Sequence, residues 1–331
     1  MNLEALAQLS NVAVASAAVV FFLACLTHLG EWAAAREVAP ARRERVAAGA
    51  MSSAEAPVLQ PPEPSAASRS DRLGGIGVSL TVLATAVLAG GMLFRGLAAG
   101  RVPWGNMYEF MVAGALVVAV VYLTLVARLG ISWLGPVVTG VVVVVLGLSI
   151  LVYVPAGPLV PALDSYWLLL HVSAAAIAGG GFVVGAGASA LFLVKDRAER
   201  RVPGSGERGL LGRLPTTAAM DRLAYRVHAF AFPVWTFAAL IAGPIWAQNA
   251  WGRYWGWDPK EVWAFITWVV YAGYLHARAT SGWKGRSAAI VALVGLATLW
   301  FNFVGINFFF GSGSQHSYAG AAPAFEEPPP R

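Results

Sequence analysis

Residues 167–194 read WLLLHVSAAAIAGGGFVVGAGASALFLV, a stretch without a charged side chain. A helix needs about 20 consecutive apolar residues to cross the hydrocarbon core of a bilayer, and this stretch is long enough. Similar apolar runs lie before and after it in the sequence, at 10–33, 75–97, 108–127, 131–153, 224–247, 262–279 and 287–309. We therefore predict an all-α polytopic membrane protein with about eight transmembrane helices.

The composition supports this fold class. Apolar residues make up 58% of the 331 residues and charged residues only 12%, against about 25% charged in soluble domains. The single cysteine, Cys25, excludes an internal disulfide and a metal site built from several thiolates. The sequence contains no zinc-finger, phosphate-loop or dinucleotide-binding pattern, which argues against those classes of protein.

The positive charges indicate an orientation in the membrane. Most of the 23 lysines and arginines lie in the connections after the first, third, fifth and seventh predicted helices. Basic residues accumulate on the cytoplasmic side of membrane proteins. We therefore expect these connections to be cytoplasmic, and both termini and the other connections to face outward. The net charge of +6 is then a consequence of topology, and no nucleic-acid binding is expected.

The predicted helices divide the chain into four parts. Residues 1–33 form an N-terminal transmembrane helix, 34–74 a cytoplasmic linker, 75–320 the main membrane domain, and 321–331 an external tail. The linker is rich in Ala, Pro, Ser and Arg, and a second stretch at 197–220 is rich in Gly, Arg and Pro. Neither stretch has an apolar period, so both are predicted to be mobile linkers.

The five histidines are the natural candidates for ligand chemistry, since ionisable groups inside spans are costly to bury. With the predicted topology and a rise of about 1.5 Å per residue, His171 and His316 lie near the outer surface. His28, His228 and His276 lie toward the cytoplasmic side. This sorting suggests two ligand sites at different depths. For His28 and His228, a role as hydrogen-bonded packing residues is an equally good interpretation.

The segment Trp246–Trp263, WAQNAWGRYWGWDPKEVW, holds five of the thirteen tryptophans between the sixth and seventh predicted helices. An aromatic belt at the membrane interface is one explanation, but a belt does not need glycines between the rings. Gly252 and Gly256 are expected to let the backbone approach a ligand closely. A large, flat, apolar ligand with a polar edge would fit the rings and donors of Trp246, Trp251, Tyr254, Trp255 and Trp257.

The end of this segment carries the features of a helix start. Asp258 is predicted to be an N-cap, Pro259 a first-turn proline and Glu261 the acid of a capping box. We therefore expect a structural role for these three residues before a catalytic one. Arg253 and Lys260 are candidates for pairing with ligand carboxylates, or with lipid headgroups.

These motifs together resemble the CcsA/ResC family of cytochrome c biogenesis proteins, within the haem-handling group named for its tryptophan-rich WWD segment. The matching runs are WAQNAWGRYWGWDPKEVWAFITW at 246–268, YLHAR at 274–278, PWGNMYEF at 103–110, LLLHVS at 168–173 and GSGSQHSYAG at 311–320. The tryptophan-rich run is the most specific of them. The resemblance covers about residues 75–320.

The resemblance implies that the WWD segment forms an external haem platform, with His171 and His316 as catalytic residues and axial iron ligands. It also implies that His276 is a membrane-embedded iron ligand, acting with a histidine of a ResB/Ccs1-type partner. His28 and His228 match no ligand of the family, and each stays open as a second inner ligand. The implied cofactor is haem b, bound in addition by Trp246, Trp251, Arg253, Tyr254, Trp255, Trp257, Asp258 and Lys260.

The implied activity is that of a system II holocytochrome c synthase, or haem lyase, in the cytoplasmic membrane with its active site on the outer face. Such a complex joins haem to the CxxCH thiols of an apocytochrome c, with the ResB/Ccs1-type protein and thiol-reducing pathway proteins as partners. The chain itself has no CxxCH motif. The alternative is a haem transporter or chaperone that delivers haem without attaching it.

Overall fold

The computed structural model describes residues 2–51, 66–157, 163–207, 209–280, 282–309 and 314–316. All regular secondary structure in these ranges is helical, which confirms the predicted all-α class. The helices are α1 (Leu3–Met51), α2 (Ala66–Ala99), α3 (Met107–Leu129), α4 (Gly135–Ile150), α5 (Tyr166–Arg201), α6 (Gly209–Arg213), α7 (Thr217–Thr236), α8 (Gly243–Trp251), α9 (Pro259–Thr280), α10 (Arg286–Trp300) and α11 (Ile306–Phe309).

Seven helical segments are long and apolar enough to cross a membrane, and they coincide with seven of the predicted spans. They are Leu3–Ala34, Arg69–Ala99, Met107–Leu129, Ser132–Ile150, Tyr166–Arg201, Thr217–Trp251 and Arg286–Phe309. The remaining predicted span, 262–279, lies within α9, whose 22 residues include the polar His276 and Arg278. A membrane crossing by α9, and the outward placement of both termini, stay predictions.

Both stretches predicted as mobile linkers contain helix, and their mobility stays a prediction. Helix α1 continues to Met51 and α2 already begins at Ala66, while residues 52–65 lie outside the described residues, as does the predicted tail 321–331. Within 197–220, α5 extends to Arg201 and α7 begins at Thr217. The composition did not indicate these helical turns because neither stretch has an apolar period.

Lys195 shows how the second of these connections is held in place. Its ammonium group lies near the end of α5 and donates hydrogen bonds to the carbonyls of Leu211, Leu214 and Pro215 at 2.9 to 3.1 Å. These are carbonyls at and after the end of α6, where a helix leaves its last acceptors without intrahelical donors. One buried cation therefore fastens the α6 segment to α5.

Helix α5 is the centre of the fold. In its most apolar stretch of 18 residues, 72% is buried, whereas the corresponding stretches of the other six membrane-type segments are 28% to 44% buried. It packs against α3, α7 and α10. A Cβ atom added at Gly181 would lie 2.9 Å from Cβ of Ala231, so the small residue is what allows α5 and α7 to approach closely. His171 lies in the second turn of this central helix.

Two helical segments contain a π turn, in which hydrogen bonds span five residues instead of four. The first π segment, Phe237–Ala242, separates α7 from α8, and the second, Phe301–Gly305, separates α10 from α11. π turns are rare and frequently lie at functional sites. Both segments border the cavity described next.

Candidate functional site

A cavity of about 240 Å³ lies between α3, α4, α5, the first turns of α9 and the two π segments. Most of its wall is apolar, including Met107, Val142, Val183 and Phe303. Six of the sequence-predicted site residues line it: His171, Trp246, Tyr254, Trp255, Lys260 and His316. The structure thus brings the two outer histidines, 145 positions apart in the chain, to one cavity.

His171 is oriented by the first π segment. Its Nδ1–H donates a hydrogen bond to the carbonyl of Ala238 at 2.8 Å, and the same carbonyl accepts the backbone N–H of Gly243. A carbonyl only accepts hydrogen bonds, so Nδ1 carries the proton and Nε2 keeps its lone pair. This is the tautomer that a metal ligand requires.

His316 is oriented in the same way by a carboxylate. Its Nδ1 lies 3.0 Å from Oδ1 of Asp258, which again places the proton on Nδ1 and leaves Nε2 as the available ligand atom. Ser314 donates to the same oxygen at 2.8 Å, and the backbone N–H of Gln315 donates to Oδ2 at 2.7 Å. Asp258 therefore fixes the whole 314–316 segment.

Trp246 connects the two histidines. Its ring is stacked on His171 with the ring centres 6.0 Å apart, and it meets His316 edge to face at 5.5 Å. Trp251 contacts both Trp246 at 4.8 Å and His316 at 4.7 Å. Trp246 is 2% exposed, so this part of the predicted platform is a buried aromatic cluster. The predicted association of tryptophans with both outer histidines is present in the fold.

Asp258 also begins α9, as the capping pattern predicts. Its Oδ1 accepts the backbone N–H of Lys260 at 2.9 Å, and its own N–H donates to Oε2 of Glu261 at 3.1 Å. Burial acts to raise the pKa of the Asp258 carboxyl, but the hydrogen bonds from His316, Lys260 and Ser314 outweigh it and hold the pKa at about 2. The carboxylate is therefore charged at neutral pH.

Other residues of the WWD segment lie at the rim or outside the cavity. Trp257 is 73% exposed and has a φ of 57°, and its ring meets Trp255 edge to face at 5.9 Å. Arg253 is exposed and donates to the side-chain oxygen of Gln315. Its guanidinium fills the space next to Gly256, where an added Cβ would lie 2.6 Å from Cζ.

The expectation that two glycines admit a flat ligand does not hold at Gly256 in this conformation, because the arginine described above fills the space beside it. Gly252 ends α8 in the left-handed region with a φ of 72°, and its N–H donates to the carbonyl of Gln248, which is an ordinary helix C-cap. The space beside Gly252 is open, with no atom within 4 Å of an added Cβ, so close approach of a ligand to its backbone stays a prediction.

The inner histidines do not form a cluster. His276 is exposed on α9 and does not line the cavity. His228 is fully buried among the rings of Phe182, Tyr271 and Tyr274, at 5.1 to 6.1 Å between ring centres. Among the described residues there is no group of three or more His, Cys, Asp or Glu side chains that could hold a metal ion.

Glycines make room for the two fully buried inner histidines. A Cβ at Gly185 would lie 2.7 Å from Nδ1 of His228, and one at Gly135 would lie 2.5 Å from Nδ1 of His28. The Nδ1 of His228 donates to the carbonyl of Ala224 at 2.6 Å. Because each ring fills a gap between helices, these contacts support a packing role for both residues. Nε2 of each ring has no hydrogen-bond partner among the described residues, so the alternative of a second inner ligand stays open.

Glu109 holds the motif at 103–110 in place, although the sequence alone suggested no role for this residue. This side chain is 0% exposed and pairs with Nε of Arg95 at 2.9 Å and Nη1 of Arg101 at 2.7 Å. It also accepts the backbone N–H of Gly105 at 2.7 Å. The ion pairs join the end of α2 to the start of α3 and so position Trp104, which lines the cavity.

Comparisons with known proteins agree with the motifs. The family model described as cytochrome C assembly protein matches residues 104–312. The cytochrome c biogenesis protein CcsA of Trieres chinensis is 34% identical over 267 residues, covering 71% of this chain and 85% of the relative. The CcsA of Parasynechococcus marenigrum is 36% identical over 271 residues, covering 74% of this chain and 86% of the relative.

A solved structure shows a similar fold. The cytochrome c haem lyase CcmF superposes with a TM-score of 0.60 at 15% sequence identity, over 92% of this chain and 47% of that chain. The match thus spans about half the length of CcmF and supports the helical architecture alone. The seven apolar helices and the relatives identify the chain as a multi-pass membrane protein, and the chain belongs to the CcsA-type family of cytochrome c biogenesis proteins.

Proposed function

We propose that the chain is the haem-binding membrane subunit of a system II cytochrome c synthase, which presents haem b on the outer face of the cytoplasmic membrane. Its family membership already gives it a role in cytochrome c maturation, a process that involves haem. The observation that carries the proposal is the pair His171 and His316, each with a fixed Nδ1–H, on one aromatic cluster beside an apolar cavity.

The donor set fits an iron porphyrin. Neutral imidazole nitrogens are common axial ligands of haem iron, and the hydrogen bond at the other nitrogen holds the ring orientation. The Ala238 carbonyl does this for His171, and the Asp258 carboxylate does it for His316. A carboxylate behind a metal-ligating histidine is a common arrangement, and Asp258 would hold the His316 ring in this way.

The remaining residues would bind and orient the substrate. Trp246, Trp251 and Trp255 supply aromatic surface, and Lys260, which lines the cavity, would pair with a carboxylate of haem. Asp258 would act indirectly through His316. Tyr254 and Trp257 are 61% and 73% exposed at the rim, where they would meet the incoming apocytochrome. Arg253, also exposed, would assist at this rim through its contact with Gln315.

The reaction itself would depend on positioning. Haem would supply two vinyl groups, and one substrate thiol would add to each of them. In each addition an S–C bond forms, the thiol hydrogen moves to the neighbouring vinyl carbon, and the double bond of the vinyl group becomes a single bond. The two histidines and the aromatic cluster would hold the porphyrin plane still, which converts the encounter with the CxxCH segment into a near-intramolecular reaction. The apolar wall would exclude water from this site.

We assign the partner-dependent part of the function to α9. His276 is exposed in the isolated chain, so its side chain is accessible to a ResB/Ccs1-type protein packed against this helix. Together they would form the inner iron site, and thiol-reducing pathway proteins would keep the apocytochrome thiols ready for attachment. The two fully buried histidines would keep their packing role.

The test is to purify the chain with its ResB-type partner and to record haem absorption spectra for His171→Ala and His316→Ala. We expect both variants to lose the spectrum of a six-coordinate bis-histidine haem and to regain it with added imidazole. Covalent haem on a co-expressed CxxCH substrate should fall in parallel. Unchanged spectra in both variants would refute the ligand assignment. Haem binding without covalent attachment by the wild-type complex would instead favour the haem-delivery alternative.

A further inference from the structure

Asn302 is a buried polar residue in the cavity wall that neither the motifs nor the proposed ligand set uses. Its side chain is 7% exposed and it lines the cavity, close to the end of α10. Its Oδ1 has no hydrogen-bond partner among the described residues. A buried amide oxygen without a partner destabilises a fold, and more so among membrane helices where water is excluded. Such a group indicates a partner that arrives from outside the chain.

The backbone around Asn302 supports this interpretation. The residue is the second position of the second π segment, Phe301–Gly305. The first π segment, Phe237–Ala242, supplies the carbonyl that orients His171, which lines the same cavity. Both distorted turns in the described chain therefore border one cavity, and π turns are frequently found where a helix contributes to a binding site.

The charges of the cavity wall show which kind of partner is missing. Haem b carries two carboxylates. Among the residues that line the cavity, Lys260 is the only lysine or arginine. The acid beside it, Glu261, already accepts the backbone N–H groups of Gly256 and Asp258 at 2.8 and 3.1 Å. One carboxylate of a bound haem can pair with Lys260, and among the described residues of the cavity wall no second cation is present for the other.

We propose that Asn302 donates a hydrogen bond from its side-chain amide to the second haem carboxylate. A rotation of the amide by half a turn exchanges Oδ1 and Nδ2, so the unpartnered position can present N–H to an acceptor. The proposal rests on the proposed function of the site and adds a specificity-determining residue to it. It makes Asn302 responsible for which edge of the porphyrin faces the rim, because the vinyl groups lie on the side away from the carboxylates.

The test compares haem with its dimethyl ester, in which both carboxylates have lost their charge and are weaker hydrogen-bond acceptors. Binding to the purified complex is titrated by absorbance for the wild type, Asn302→Leu and the control Asn307→Leu. Asn307 lies five positions further along, does not line the cavity, and donates to Phe303 and Met107. We expect Asn302→Leu to bind haem about tenfold more weakly, equivalent to about 1.4 kcal/mol, with a clearly smaller loss for the ester. The control should bind both ligands like the wild type.

A second variant keeps the test decisive if Asn302→Leu is poorly folded. Asn302→Asp retains the shape and polarity of the side chain but places a negative charge beside the carboxylate, so it should lower the preference for haem over the ester. Equal losses for haem and ester in these variants would show that Asn302 only shapes the cavity, and would overturn the inference. A wild-type complex that binds neither ligand would refute the proposed function itself.

Discussion

The hydrogen bonds of Asp258 give the most specific prediction. Its two oxygens accept one bond from the first turn of α9 and three from the segment that carries His316. Replacement by asparagine keeps the shape and a good helix cap, because asparagine is as effective at this position as aspartate. It removes the charge and replaces one of the two acceptor oxygens with an NH₂ group. We therefore expect Asp258→Asn to release the 314–316 segment while α9 stays intact.

The magnitude follows from the bonds that are lost. A hydrogen bond to a charged group contributes about 1.5–3 kcal/mol, and the N–H of Gln315 would face a donor where it now meets an oxygen at 2.7 Å. A loss of about 2 kcal/mol for docking of the segment corresponds to a factor of about 30 in the docking equilibrium. The bond from His316 weakens in addition when its acceptor becomes neutral.

Hydrogen exchange read by mass spectrometry measures this directly in the detergent-solubilised complex. Protection of the amides of Gln315 and His316 should fall about thirtyfold in Asp258→Asn, while the amides of the α9 interior keep their wild-type rates. Unchanged protection at both amides would refute the role of Asp258 in holding the 314–316 segment. Loss of protection throughout α9 would show that the main contribution of the carboxylate is to cap α9, and not to hold this segment.

The pH dependence of this protection is a second test of the same variant. The pKa of Asp258 is lowered to about 2 in the folded chain, against about 3.9 in an unfolded one. A lowered pKa stabilises the folded state above the unfolded value and loses that contribution as the pH falls toward the folded value. Wild-type protection of the segment should therefore decline on acidification from pH 4 toward pH 2, and Asp258→Asn should not show this decline.

Three further predictions concern stability. Lys195→Met should weaken the attachment of the α6 segment to α5 by about 2 kcal/mol, which would appear as faster tryptic cleavage between residues 202 and 215. A cleavage rate equal to that of the wild type would contradict the role of the three hydrogen bonds to carbonyls. Glu109→Gln leaves two buried arginines without their anion and should cost about 3 kcal/mol in denaturant unfolding; a change below about 1 kcal/mol would count against the network. Gly185→Ala should cost about 2 kcal/mol through the clash with His228, whereas Gly147→Ala, with open space around it, serves as the neutral control.

Much of the fold was predictable from the sequence because the bilayer imposes a simple rule on length and polarity. The apolar runs located seven helices that the structure confirms, and the tryptophan-rich segment located the aromatic cluster. The grouping of His171 with His316 followed from topology and from the family resemblance. The capping residues Asp258 and Glu261 followed from local hydrogen-bond chemistry, which a sequence pattern records well.

The features that escaped prediction depend on contacts between distant segments. Nothing near Asp258 in the sequence shows that it accepts bonds from residues more than fifty positions later. Gly256 looked like an opening for a ligand because a sequence does not show that Arg253 fills the space. The π turns have no sequence signature at all. Asn302 did leave a signal, since it and Asn307 are the two asparagines in the largely apolar run 287–309.

The second π segment also sets a length constraint on the C-terminal part of the chain. A π turn holds about one residue more than an α turn, and each residue of an α-helix advances the side chains by about 100°. Deleting a single residue within Phe301–Gly305 would therefore restore an ordinary helix and leave the residues after it close to their present orientation. The same deletion within the regular turns of α10 would rotate everything after it by about 100°, including the route to His316, and would carry His316 away from Trp246 and Trp251.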